Sequence, residues 1–79
     1  LEPSEEVYPI GTEITDHRHP FDEIRMVVEG ELFVSIAGNK LLLRPGDRIE
    51  IPSNTKHSTK AQGDEDCKCV VAKRVFRTY

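Results

Sequence analysis

Three histidines and one glutamate are the residues of this chain whose types and spacing could do chemistry. His17 and His19 are two apart, so on an extended segment both imidazoles project to one face while Arg18 turns to the other. After Pro20, Phe21 and Asp22 comes Glu23, and the short turn brings its carboxylate back towards the same point as the next strand begins. His57 follows Pro52-Ser53-Asn54 much later in the chain, and strands closing into a barrel would set it opposite the first three. Three neutral imidazoles and one carboxylate suit a single divalent first-row ion, and on an octahedral ion they leave two positions open. The donor set does not choose among Mn, Fe, Co, Ni, Cu and Zn.

Arg25 is the next candidate. Strand parity places Glu23, Arg25 and Val27 on one face, so an inward Glu23 carries Arg25 inward beside it. A buried guanidinium requires an anion. A substrate carboxylate or enolate would supply one through a two-pronged contact, which makes Arg25 a candidate catalytic residue; an internal pair with Glu13, Glu50 or another carboxylate is the structural alternative. Asp16 and Asp22 are candidate acceptors for imidazole N–H groups, against the commoner role of exposed loop carboxylates. Cys67 and Cys69 share one face of a strand about 6.5 Å apart, where a disulfide would be strained, and they read as two small core residues rather than a redox or metal pair.

The elements that must position these residues are short. Turn signals recur at Gly11, His19-Pro20, Gly30, Gly38-Asn39, Pro45-Gly46-Asp47, Pro52-Ser53-Asn54 and Gly63-Asp64, and the runs between them are too brief for helices. The pattern predicts an all-β sandwich or barrel with little or no helix. Strands are expected near Tyr8–Ile14, Glu23–Glu29, Leu32–Ala37, Lys40–Arg44, Arg48–Ile51, Lys56–Ala61 and Cys67–Phe76. Gly38-Asn39 fits a two-residue hairpin turn. Residues 1–7 read as an exposed arm unless a second subunit orders them, and Gln62–Lys68 reads as a solvated loop.

At 79 residues and 9.0 kDa the chain is read as one domain with a small core, which a metal or a partner subunit would help to stabilise. A large free-standing enzyme is excluded. Eleven Lys and Arg against 14 Asp and Glu give a net charge of −3 without a basic run, so no nucleic-acid partner is expected. No apolar run reaches the roughly 18–20 residues of a membrane span, and the first residues lack signal-peptide character. A cytoplasmic location without membrane partners is the expectation. The chain starts on Leu1 rather than Met, as a trimmed form would.

The spacing resembles the two motifs of the cupins. The first has glycine, five residues, His, one residue, His, three or four residues, Glu, six residues and glycine; here Gly11, His17, His19, Glu23 and Gly30 fill every position. The second has glycine, five residues, proline, one residue, glycine, two residues, His, three residues and often Asn; here Gly46, Pro52 and His57 match, while Asn54 and Ala61 replace the second glycine and the Asn. Asn tolerates left-handed backbone better than most residues, so the first change is mild. Residues 31–45 separate the motifs, a spacing typical of small microbial single-domain members. The resemblance implies a jelly-roll β-barrel of antiparallel strands with His17, His19, Glu23 and His57 as the metal ligands at its centre, and frequently a homodimer. The three glycines are expected to turn the chain and carry no chemistry.

His-His-Glu followed closely by Arg also resembles the acireductone dioxygenase branch of the cupins. The implied function is metal-centred chemistry on a small oxygenated or anionic molecule, of dioxygenase, isomerase or lyase type. The alternatives are a small-ligand-binding or sensor module and a barrel in which the metal is structural.

Overall fold

The computed structural model describes residues 2–75. The strands in chain order are β1 (Ser4–Tyr8), β2 (Glu13–His17), β3 (Asp22–Glu29), β4 (Glu31–Ile36), β5 (Asn39–Leu43), β6 (Arg48–Ile51), β7 (His57–Gln62) and β8 (Cys67–Arg74). No helix occurs among the described residues. Two four-stranded antiparallel sheets, ordered β1-β8-β3-β6 and β2-β7-β4-β5, face each other as a jelly roll.

Alternation along the strands builds the core between the sheets. Val27 on β3, Leu32 and Val34 on β4, Leu43 on β5, Ala61 on β7, and Cys67, Cys69 and Val71 on β8 form one buried cluster. Each comes from the inward row of its strand, because a strand's side chains alternate between faces. The two thiols are free and wholly buried, with sulfurs 3.8 Å apart. Burial first, and then the neighbouring Cys69, pushes the Cys67 thiol up to about 12, so it behaves as an apolar group.

Three expectations change. The strand expected over Tyr8–Ile14 is two strands in different sheets, β1 and β2, joined by a turn in which the Thr12 N–H donates to the Pro9 carbonyl at 3.0 Å. Pro9 has no N–H to continue a ladder, and Gly11 takes a φ of +82°, so the chain can swing from one sheet to the other here. Secondly, most of the expected N-terminal arm is β1, which pairs with β8 of the same chain from Ser4 opposite Val71 to Tyr8 opposite Cys67. Its polarity is reversed: Glu6 turns inward while Val7 is 56% exposed, and an inward cation makes that possible. Thirdly, the β4–β5 turn is Ala37-Gly38 rather than Gly38-Asn39, since Ile36 pairs with Asn39. Both turn residues have positive φ, 48° and 79°, as a primed hairpin turn requires.

The expected solvated segment is narrower than Gln62–Lys68: residues 63–66 are exposed, while Cys67 is in the core. The end of the last strand expected at Phe76 lies outside the described residues.

Candidate metal centre

His17 ends β2 and His57 begins β7, and the two are directly opposite in the β2–β7 pair. Between the Ile14–Thr59 and His17–His57 pairs β2 spends one residue more than β7, a bulge that re-aims His17. Their ring centroids are 4.2 Å apart, and His19, in the loop that follows, lies 4.5 Å from His17 and 5.0 Å from His57. One nitrogen from each of the three rings falls within 4.8 Å of the others. His57 is 2% exposed, and His17 and His19 are half-buried.

Backbone carbonyls orient two of the rings. His17 Nδ1 is 2.9 Å from the Thr15 carbonyl oxygen, and His57 Nδ1 is 2.9 Å from that of Thr55. A carbonyl only accepts, so each Nδ1 carries the proton and each Nε2 keeps its lone pair, the tautomer a metal ligand needs. These carbonyls take the part expected of Asp16 and Asp22. Asp16 instead pairs with Lys56 at 3.6 Å, and Asp22 accepts the Ser53 N–H at 2.8 Å and pairs with Arg74 at 3.6 Å.

The loop carrying His19 is tied to the β6–β7 turn. The Asn54 N–H donates to the His19 carbonyl at 2.6 Å, and Arg18 Nη1 donates to the Asn54 carbonyl at 3.3 Å. Asn54 itself has a φ of +59°, the conformation for which Asn is a tolerated substitute for glycine. Phe21 stacks on the His19 ring at 4.8 Å with 9° between planes. Burial lowers the His19 pKa and Glu23 opposes the shift only in part, so the neutral, ligating form is favoured.

Glu23 begins the inward row of β3 with Arg25 and Val27, all three buried. Its carboxylate lies near enough for His19 to feel its charge, but outside the tight group of imidazole nitrogens. Arg25 holds it: Nε is 3.4 Å from Glu23 Oε2 and Nη2 is 3.4 Å from Oε1. The same guanidinium donates to Glu6 Oε1 at 3.2 Å and to the Tyr8 hydroxyl at 2.8 Å, and Tyr8 in turn donates to Glu6. The partners of Arg25 are therefore Glu6 and Glu23, neither of the two carboxylates named from sequence. Burial alone would lower the Arg25 pKa, but the charges of Glu23, Tyr8 and Glu6 raise it above its ordinary value. Burial, then the hydrogen bond to Glu6, pushes the Tyr8 phenol up to about 12. Glu6 and Tyr8 escaped the sequence reading because they stand in an acidic stretch before any apolar strand pattern; their two-residue spacing was the only signal.

The donor set fits a divalent transition ion. Three imidazoles converge, two in a fixed tautomer with the ligating nitrogen free, and a buried carboxylate stands beside them.

The acireductone dioxygenase of Bacillus licheniformis is 40% identical over 68 residues, covering 80% of this chain and 36% of that enzyme, and the enzyme of Bacillus anthracis is 37% identical with 38% of its length covered. The chain thus spans little more than a third of these relatives. Among solved structures, a DMSP lyase from Ruegeria pomeroyi aligns with a TM-score of 0.83 at 28% identity, covering 98% of this chain and 40% of that one. A cupin superfamily protein from Desulfitobacterium hafniense aligns with a TM-score of 0.84 at 16% identity, covering 94% and 66%, a likeness of fold. The family model described as the cupin domain matches residues 4–73, from β1 through nearly all of β8, and the chain belongs to the cupin family.

Proposed function

We propose that this chain is a metal-dependent cupin that acts on a small anionic or oxygenated organic molecule, with acireductone-type dioxygenase chemistry favoured over isomerase or lyase chemistry. The convergence of His17, His19 and His57, with nitrogens within 4.8 Å of one another, carries the reading. The 40% identity to an acireductone dioxygenase supports the reaction class.

In this reading His17, His19 and His57 hold one divalent ion, and Glu23 supplies the fourth protein ligand. Such an ion, when bound, supplies open coordination positions and Lewis-acid polarisation of a chelated oxygen. The Thr15 and Thr55 carbonyls keep His17 and His57 from turning their protonated nitrogens inward. Arg25, which the sequence offered either as a ligand anchor or as an internal ion pair, orients the Glu23 carboxylate through Nε and Nη2, each 3.4 Å from one of its oxygens, and is a positioning residue in this reading. Val27, Leu32 and Val71 belong to the buried core between the sheets.

Oxygen uptake with an acireductone tests the reading on protein reconstituted with Fe(II) or with Zn(II). Uptake with iron and none with zinc is the expected result. Tight ligand binding without turnover by either form would move the chain to the small-ligand-binding cupins. A homodimer completes the proposal: β1 is a sheet edge, and Val7 and Ile10 on and beside it are 56% and 54% exposed. Light scattering should give twice the 9.0 kDa chain mass.

A further inference from the structure

The cation that sequence parity selected, Arg25, is paired with Glu6 and Glu23, and β8 brings a second one to the same opening. Cys67, Cys69 and Val71 form the inward row of β8 and are at most 1% exposed. Lys73 is next in that row. It stands directly opposite Glu23 in the β3–β8 pair, just as Val71 stands opposite Arg25 and Cys69 opposite Val27. Directly opposed residues of an antiparallel pair project to one face, so Lys73 leaves the sheet on the side that carries Glu23 and the imidazoles.

Lys73 is nevertheless exposed, because the row reaches the mouth of the barrel there. Its Nζ lies 5.1 Å from the centroid of Phe21, the ring that stacks on His19. The other ion pairs of the region are made by Arg25 with Glu6 and Glu23 and by Arg74 with Asp22 and Glu50. Among the described residues no carboxylate lies within 4.0 Å of Lys73 Nζ. An ammonium on a flexible stem, at the entrance and backed by an aromatic face, is suited to meet a carboxylate or enolate oxygen that enters along Phe21.

We propose that Lys73 is the specificity-determining cation of this site: it selects small anionic oxygen-donor ligands and holds their charge at the barrel mouth while another oxygen reaches the imidazole cluster. The inference rests on reading that cluster as a metal centre, and it assigns the ligand's charge to Lys73 rather than to Arg25, whose charge is already met by Glu6 and Glu23.

The test uses the Co(II)-loaded protein, whose visible absorption bands report ligands entering the metal's coordination sphere. Oxalate is the anionic probe, and imidazole at pH 8 is the neutral one. Lys73→Met should weaken oxalate about tenfold and leave imidazole unchanged, as loss of one charge-assisted hydrogen bond requires. Lys73→Arg should restore oxalate binding, and added KCl should weaken oxalate more in the wild type than in Lys73→Met. Oxalate affinity indifferent to Lys73→Met, or both probes weakened alike, overturns the proposal while the metal centre stands. Failure of the wild type to bind Co(II) overturns both together.

Discussion

His17 and His57 face each other across the β2–β7 pair with ring centroids 4.2 Å apart, and each donates its Nδ1 proton to the carbonyl of the threonine two residues before it. The shared relation arises because each ring folds back on its own strand. It needs no side-chain acceptor, and it leaves two Nε2 atoms directed away from the backbone with their lone pairs free.

The network beside that pair has a pH dependence. Burial alone would raise the Glu6 pKa, but the hydrogen bond from Tyr8 and the Arg25 charge bring it below its ordinary 4.5. A depressed carboxylate contributes stability that is present above the unfolded value and lost as pH falls through the folded one. Glu6→Gln should therefore cost about 1–2 kcal/mol at pH 7, the worth of a charged hydrogen bond. The gap in thermal midpoint between wild type and variant should narrow between pH 5 and pH 3. A gap that widens on acidification contradicts the account.

Gly30 joins β3 to β4 with a φ of +75°, and a Cβ there would stand 2.6 Å from the Asp66 carbonyl oxygen and 2.9 Å from Cys67 Cα. Both neighbours are backbone and cannot turn aside. Gly30→Ala should lower stability by about 2–4 kcal/mol, from left-handed strain and a forced shift of the start of β8. Chemical denaturation measures it; a loss under about 0.5 kcal/mol contradicts the packing described.

Ala37 is the opposite case, a side chain at a φ of +48° with open turn geometry around it. Ala37→Asn should raise stability by about 0.5–1 kcal/mol, because Asn occupies the left-handed region at lower cost. A fall in thermal midpoint would place the turn elsewhere.

The buried thiols give a fourth outcome. With Cys67 and Cys69 wholly inaccessible and the Cys67 thiol held neutral, iodoacetamide at pH 8 should leave the folded chain unmodified and alkylate both sulfurs in urea. Rapid labelling of the native protein would contradict their placement in the core.

Much of the site was legible from the sequence because it rests on local spacing. His17 and His19 share a face by strand parity, and Glu23, Arg25 and Val27 form the inward row that parity assigned them. The parts that escaped depend on contacts distant in sequence. β1 could not be recognised from its own residues, since its inward Glu6 is tolerable only beside Arg25, 19 positions away. The bulge that turns His17 towards His57 leaves no mark on residue type. The one-residue shift of the β4–β5 turn follows from a choice between two neighbouring pairs that both contain Gly38, settled by the register that buries Leu32 and Val34.

The central claim is that three imidazoles and Glu23 form one metal centre, and equilibrium dialysis against Co(II) followed by elemental analysis tests it most directly. The account predicts about one ion per chain for the wild type and less than about a tenth of that for His57→Ala, with a higher thermal midpoint for the loaded wild type, because ion binding adds to folding free energy. Glu23→Gln should retain weakened binding, since the three imidazoles remain. A wild type that takes up no ion, or a His57→Ala variant that takes up as much as the wild type, would contradict it.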